Sequence, residues 1–197
     1  MVAMLIDAAI ISLVVGLLRK GSLQNLGNLT VRQIPLILIA CLLQGGSLFL
    51  AQRGVDFFVR FGSWLNLFSF GLLLIALWAN RHERAFVVIG LGVLLNGIVI
   101  CANGGRMPVS IDSLEAVGLG ELGALLETGD YITHTKLTDA SVLTFLADWL
   151  YIPGYKRARV FSIGDVIISL GVFWLIQRAM VQKRVQPKEG FFRPPGA

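Results

Sequence analysis

Charge is scarce in this chain. Of 197 residues, 15% are Asp, Glu, Lys or Arg against 55% hydrophobic, and the mean hydropathy is +0.75. That balance excludes an ordinary soluble domain and calls for several apolar runs of bilayer-spanning length. The formal net charge of +5 sits at the flanks of those runs, so it does not imply a nucleic-acid partner. Cysteine is almost absent. Cys41 and Cys101 lie in apolar runs, where they pair only if their helices touch and otherwise read as small buried side chains. Histidine is equally rare: His82 sits in a polar loop, and His134 has no second His or Cys nearby, so no metal site is expected. No P-loop, Gly-x-Ser-x-Gly, His-Glu-x-x-His or Cys-x-x-Cys occurs, which leaves phosphate-cradle, serine-elbow, zincin and dithiol chemistry without support, and no cofactor is expected.

What is present is apolar sequence in five segments, at about residues 2–18, 33–51, 61–79, 85–102 and 161–180. They predict an all-α integral membrane protein of one domain, residues 1–182, followed by a basic, Pro-containing tail at 183–197 that should be disordered and cytoplasmic. Arg19 and Lys20 follow the first segment and no basic stretch precedes it, the reverse of a cleavable signal, so an uncleaved anchor is expected. Arg32, Arg81 and Arg84 flank the short polar loops. The positive-inside rule therefore puts the N-terminus outside and the C-terminus in the cytoplasm of a plasma-membrane protein. Asp7 near the outer end reads as a solvated or snorkelling acid. Trp64 and Trp78 suit the two interfaces of the third segment, and Asn96, deep in the fourth, should find a partner on another helix.

Between the fourth and fifth segments lies an outer region, residues 103–160. It opens on Asn103-Gly-Gly-Arg106-Met-Pro108, whose glycines end the helix. Arg106 then either snorkels to lipid phosphate or acts as a fixed cation that orients a carboxylate or headgroup. Acids gather at Asp112, Glu115, Glu121, Glu127 and Asp130. Leu114, Val117, Leu122 and Leu125 have helical spacing, which suits one amphipathic helix over 113–126. Residues 131–135 read as extended or irregular, and 138–150 as a second helix capped by Thr138. With Leu114, Leu122, Leu143, Phe145 and Trp149 to bury, this region should be ordered.

Two aspartates stand out. Asp165 opens the last apolar segment, and an acid at the mouth of a membrane helix is costly enough to need a reason. Asp148 ends the outer region, with sixteen residues between the two. Carboxylates held close cannot both ionise easily; one keeps a proton while the other serves as a base on water. The first helical turn favours a charged Asp165, and Ser162, Asp165 and Ser169 form a polar stripe. From residue pattern alone, the simpler account of the pair is a helix-capping acid and an unrelated surface acid.

Phe161-Ser-Ile-Gly-Asp165-Val-Ile-Ile168-Ser-Leu-Gly171 resembles the last-helix motif of the lipoprotein (type II) signal peptidases, Phe-Asn-x-Ala-Asp-x-x-Ile-x-x-Gly. Ala147-Asp148-Trp149 is similar to their other aspartate motif at a comparable separation, and Asn103 with Arg106 faintly resembles their Asn and Asp-Arg element. Ser162 and Gly164 replace that motif's Asn and Ala, and about forty residues are inserted between Arg106 and Asp148. The whole chain more closely resembles a family of uncharacterised bacterial multi-pass membrane proteins that share the Asn-Gly-Gly-Arg-Met-Pro turn, the Asp-Trp and the Phe-Ser-Ile-Gly-Asp motif. The signal peptidase resemblance implies an aspartic-type membrane peptidase with Asp148 and Asp165 catalytic. Arg106, Asn103 and Ser162 would be substrate-binding, and a lipid-anchored or membrane-inserted peptide the substrate. The alternative is a non-catalytic membrane subunit or scaffold, in contact with lipid, whose outer region docks a membrane protein partner.

Overall fold

A computed structural model describes residues 2–128, 131–153 and 159–181. The acid Asp130, the cations Lys156 and Arg157, and the basic tail from 183 lie outside them. The fold is mostly helical. Four helices are long and apolar enough to cross a membrane: α2 (Ile34–Gln52), α3 (Asp56–Ala79), α4 (Arg84–Ala102) and α7 (Ile163–Val181). A fifth apolar helix, α1 (Val2–Leu18), occupies the first expected segment and is shorter. Pro35 lies in the first turn of α2, where a missing N–H is tolerated. α3 begins five residues earlier than its apolar run suggests, at Asp56, so Trp64 lies two turns inside it instead of at its end.

The helices pack in the order α2–α3–α4–α7–α1. α4 and α7 share a close seam. A Cβ on Gly92 would lie 2.6 Å from the Gly164 carbonyl oxygen, and one on Gly171 would meet Ile89 Cγ1 at 2.6 Å, so small residues set this approach. α1 is fastened to α7 by polar contacts: Ser12 Oγ donates to Phe173 O at 2.9 Å, and Gln177 Nε2 donates to Ser12 Oγ at 3.0 Å. Asp7 is not merely solvated; its Oδ2 accepts from Arg159 Nη1 at 2.9 Å. Cys41 and Cys101 are free and exposed on helix faces, which corrects the expectation that they are buried. Neither lies in a helix seam, so apolar sequence around them marks a helix and not a core.

One end of the bundle is closed by short connections. Asn80, fully buried, accepts from Arg32 N at 2.7 Å and donates to Arg32 O at 2.8 Å. Ser22 N and Asn25 Nδ2 both donate to Met180 O, at 3.0 and 2.9 Å. The other end carries the segment between α4 and α7. There β1 (Met107–Val109) pairs in parallel with β2 (His134–Lys136), with Met107 opposite His134. On its other side β1 takes in Asp148, whose N–H donates to Pro108 O and whose carbonyl accepts from Ser110 N, both at 2.9 Å. β3 (Leu150–Tyr151) pairs antiparallel with β4 (Val160–Phe161) and leads into α7.

Three readings of this segment are corrected. The single helix over 113–126 is two, α5 (Ile111–Ala116) and α6 (Gly120–Glu127), because Gly118 takes φ +78° between them. The helix over 138–150 does not form. Ser141 Oγ accepts from Thr138 N in a turn, Leu143 adopts φ +56°, and Thr144–Leu146 make one 3-10 turn. The residues after it go to the β1 edge, so tertiary pairing overrides local periodicity. Of the side chains expected to bury, Leu114 does so, but Phe145 and Trp149 stay 59% and 41% exposed.

Candidate functional site

Asp165 is placed by its own helix start. Ser162, just before α7, accepts from Asp165 N–H at 3.1 Å and donates to Asn96 Oδ1 at 3.0 Å; Asn96 Nδ2 donates to Asp165 Oδ1 at 2.8 Å. All three residues are buried. This closed set fixes the carboxyl at the seam between α4 and α7. Glycine at 164 is required there, since a Cβ would stand 1.9 Å from Asn96 Oδ1.

Asp148 is placed by strand pairing and is 7% exposed. Its two oxygens differ. Oδ2 lies 3.7 Å from His134 Nε2; Oδ1 is buried and has no hydrogen-bond partner among the described residues. The pairing of β1 with β2 brings His134 alongside, and Nδ1 of the same ring is 2.8 Å from Thr133 Oγ1.

Asp148 and Asp165 line one cavity of about 240 Å³, together with Gln44 and Gly45 of α2, Asn66 of α3, Asn96 of α4 and His134. Desolvation is the larger cause, and the charge of Asp165 the second, that pushes the Asp148 carboxyl up to about 8. His134 opens onto the cavity, yet the protein packed around it desolvates its cation and lowers its pKa to about 4. At neutral pH a protonated carboxyl therefore faces a neutral imidazole. Among the polar groups of the lining, Gln44 Nε2 is buried and, like Asp148 Oδ1, has no partner among the described residues.

The other residues singled out in the sequence lie apart from this cavity. Asn103 caps α4 and clips a loop: its Nδ2 donates to Val99 O and Val142 O at 2.8 and 2.9 Å, and its Oδ1 accepts from Val142 N at 2.9 Å. Arg106 Nε donates to Ser63 Oγ at 3.3 Å, and Ser63 Oγ donates to Ile132 O at 2.9 Å. Neither residue lines the cavity. Ser162 contributes through the capping bonds that hold Asp165. Sequence reasoning missed His134 and Gln44. His134 has no second His or Cys near it in the sequence and meets Asp148 only through strand pairing, and Gln44 is one amide in an apolar run. Asn96 was expected to bind another helix; that it binds the aspartate depends on the facing glycines.

Residues 28–177 match the family of unknown function DUF5317, and the chain belongs to that family. All the residues of the cavity fall inside the match. An uncharacterized protein of Thermotoga maritima is 30% identical over 172 residues, covering 86% of this chain and 88% of that protein. No solved structure matches the chain. None of these matches is to a lipoprotein signal peptidase, and that likeness rests on the short aspartate motifs alone.

Proposed function

We propose that this DUF5317 protein is an integral membrane hydrolase in which Asp148 and Asp165 form the acid–base pair, acting on a membrane-inserted or lipid-anchored peptide. One observation carries the reading: two buried aspartates line the same cavity, and Asp148 presents an oxygen with no hydrogen-bond partner among the described residues. In the proposed reaction Asp165 removes a proton from a water whose oxygen bonds to the scissile carbonyl carbon. Asp148 gives its proton to the carbonyl oxygen. On collapse, the carbon–nitrogen bond breaks, the leaving nitrogen takes the proton held by Asp165, and Asp148 recovers its own from the intermediate. His134 stands beside Asp148, its Nε2 3.7 Å from Oδ2.

The same reading takes α1 as a fifth span and sets the segment between α4 and α7 on the outer face of the plasma membrane. It rests on the apolar runs and on the cations of the short loops. Access is lateral. α2 packs on α3, and no comparable packing joins it to α1, α4 or α7 among the described residues, so the bilayer reaches the cavity beside α2. The test is hydrolysis of lipid-anchored and transmembrane reporter peptides by protein reconstituted in vesicles. Cleavage should vanish in both Asp148→Asn and Asp165→Asn while each variant still folds. Undiminished cleavage by either variant would refute the pair, and a stable protein inert toward all reporters would favour the scaffold.

A further inference from the structure

We infer that Gln44 is the substrate-binding donor of this cavity and takes the oxygen of an acyl carbonyl that no secondary structure has paired. The inference rests on the hydrolase reading and adds the chemical class it acts on. Three helices each offer a carboxamide to the cavity: Gln44 from α2, Asn66 from α3 and Asn96 from α4. Asn96 is bound to Asp165, and Asn66 Nδ2 reaches Gly105 O at 3.4 Å. The Gln44 Nε2 group is buried and unmatched among the described residues. A donor without a partner in an apolar run is costly to keep, and its cost is recovered if a ligand oxygen completes it. The next residue is Gly45, which also lines the cavity, and a Cβ there would meet nothing within 4 Å. A ligand therefore has room against the α2 backbone beside the amide. Inside a membrane helix every carbonyl but the last few is already bonded, so the group Gln44 can receive belongs to an extended peptide or an ester at a membrane interface. An intact transmembrane helix does not offer it. Asp148 Oδ1 and Gln44 Nε2 then supply the two unmatched polar atoms around one carbonyl: the carboxyl protonates its oxygen and the amide orients it.

The probe is a membrane-soluble peptide carrying a statine-type secondary alcohol in place of the scissile carbonyl, titrated against full-length protein in lipid nanodiscs. Gln44→Leu should weaken binding at least tenfold and leave the thermal midpoint unchanged or higher, since no side-chain hydrogen bond to the described residues is lost. Gly45→Leu should weaken binding by filling the cavity, and Asp148→Asn should abolish it. Wild-type binding lost in Asp148→Asn but kept in Gln44→Leu would overturn the role of Gln44 and spare the aspartate pair. A lowered midpoint in Gln44→Leu would assign the amide a structural role. Failure of the wild type to bind would overturn both.

Discussion

Asp148→Asn keeps the shape of the side chain and removes its ability to give and receive a proton. On the proposed mechanism that change lowers turnover by at least the factor of about 10² typical of a lost general acid, measured as cleavage of reporter peptides. A second consequence is independent of any substrate. The Asp148 carboxyl rises from 3.8 to about 8 on folding. Such a group binds its proton more tightly in the folded chain. Its contribution to stability is complete below pH 3.8 and is lost as pH climbs through about 8. The wild type should lose thermal stability relative to Asp148→Asn across that window; a constant offset would mean that the carboxyl is not desolvated. His134 acts in the opposite sense. Its pKa falls from 6.5 to about 4, so its contribution is present above 6.5 and lost as pH falls through about 4. His134→Gln should flatten the acid side of the stability profile. The two aspartates were legible because an acid beside an apolar run is conspicuous. His134 and Gln44 were not, because each acquires its meaning from a residue far along the chain.

Among the elements, the seam between α4 and α7 decides where Asp165 points. Gly164→Ala puts a methyl 1.9 Å from Asn96 Oδ1 and 2.9 Å from Gly92 O, so the helices separate or Asn96 turns away from Asp165. Overpacking of this kind costs about 1–3 kcal/mol. Gly46→Ala is the control: a Cβ there meets nothing within 4 Å, and the gain in helix propensity is about 0.5–1 kcal/mol. Thermal unfolding in detergent should move the two variants in opposite directions. Equal shifts would show that the seam is looser than the close contacts imply. The helices themselves were legible as apolar runs, because the bilayer-length pattern is set by local composition. The segment between α4 and α7 was legible only in part. α5 and α6 follow their leucines, but the predicted helix over 138–150 gives way to pairing between Asp148 and the β1 edge, a contact spanning some forty residues of sequence. Leu143 at φ +56° stops the helix where no Gly or Pro warns of it.

For the whole molecule, the two ends of the bundle are chemically unlike. At one end the α1–α2 loop meets both the α3–α4 turn, through Asn80 and Arg32, and the end of α7, through Met180; Arg178 Nε also approaches Glu83 Oε2 at 3.3 Å. Arg19, Lys20, Arg32, Arg81, Arg84 and Arg178 therefore collect on a single face formed by short connections, where charge governs orientation. At the opposite face stand the paired strands, Asp148 and Asp165, with exposed Phe145, Trp149 and Tyr151 around them, the residue types that settle at a membrane interface. The proposed orientation, with the basic end in the cytoplasm and the aspartates outside, agrees with both faces. Reporter fusions after His82 and at the C-terminus should both be active only in the cytoplasm, and a fusion within the α5–α6 connection only outside. Because the short loops are bonded to one another, the fusions must agree. A split result would break the five-span reading by removing α1 or another helix from the bilayer. A uniformly inverted result would keep the fold and the cavity but bring the aspartates to the cytoplasmic face, where a lipid-anchored peptide of the outer leaflet never arrives, and the substrate would then have to be sought among inner-leaflet and cytosolic acyl carbonyls.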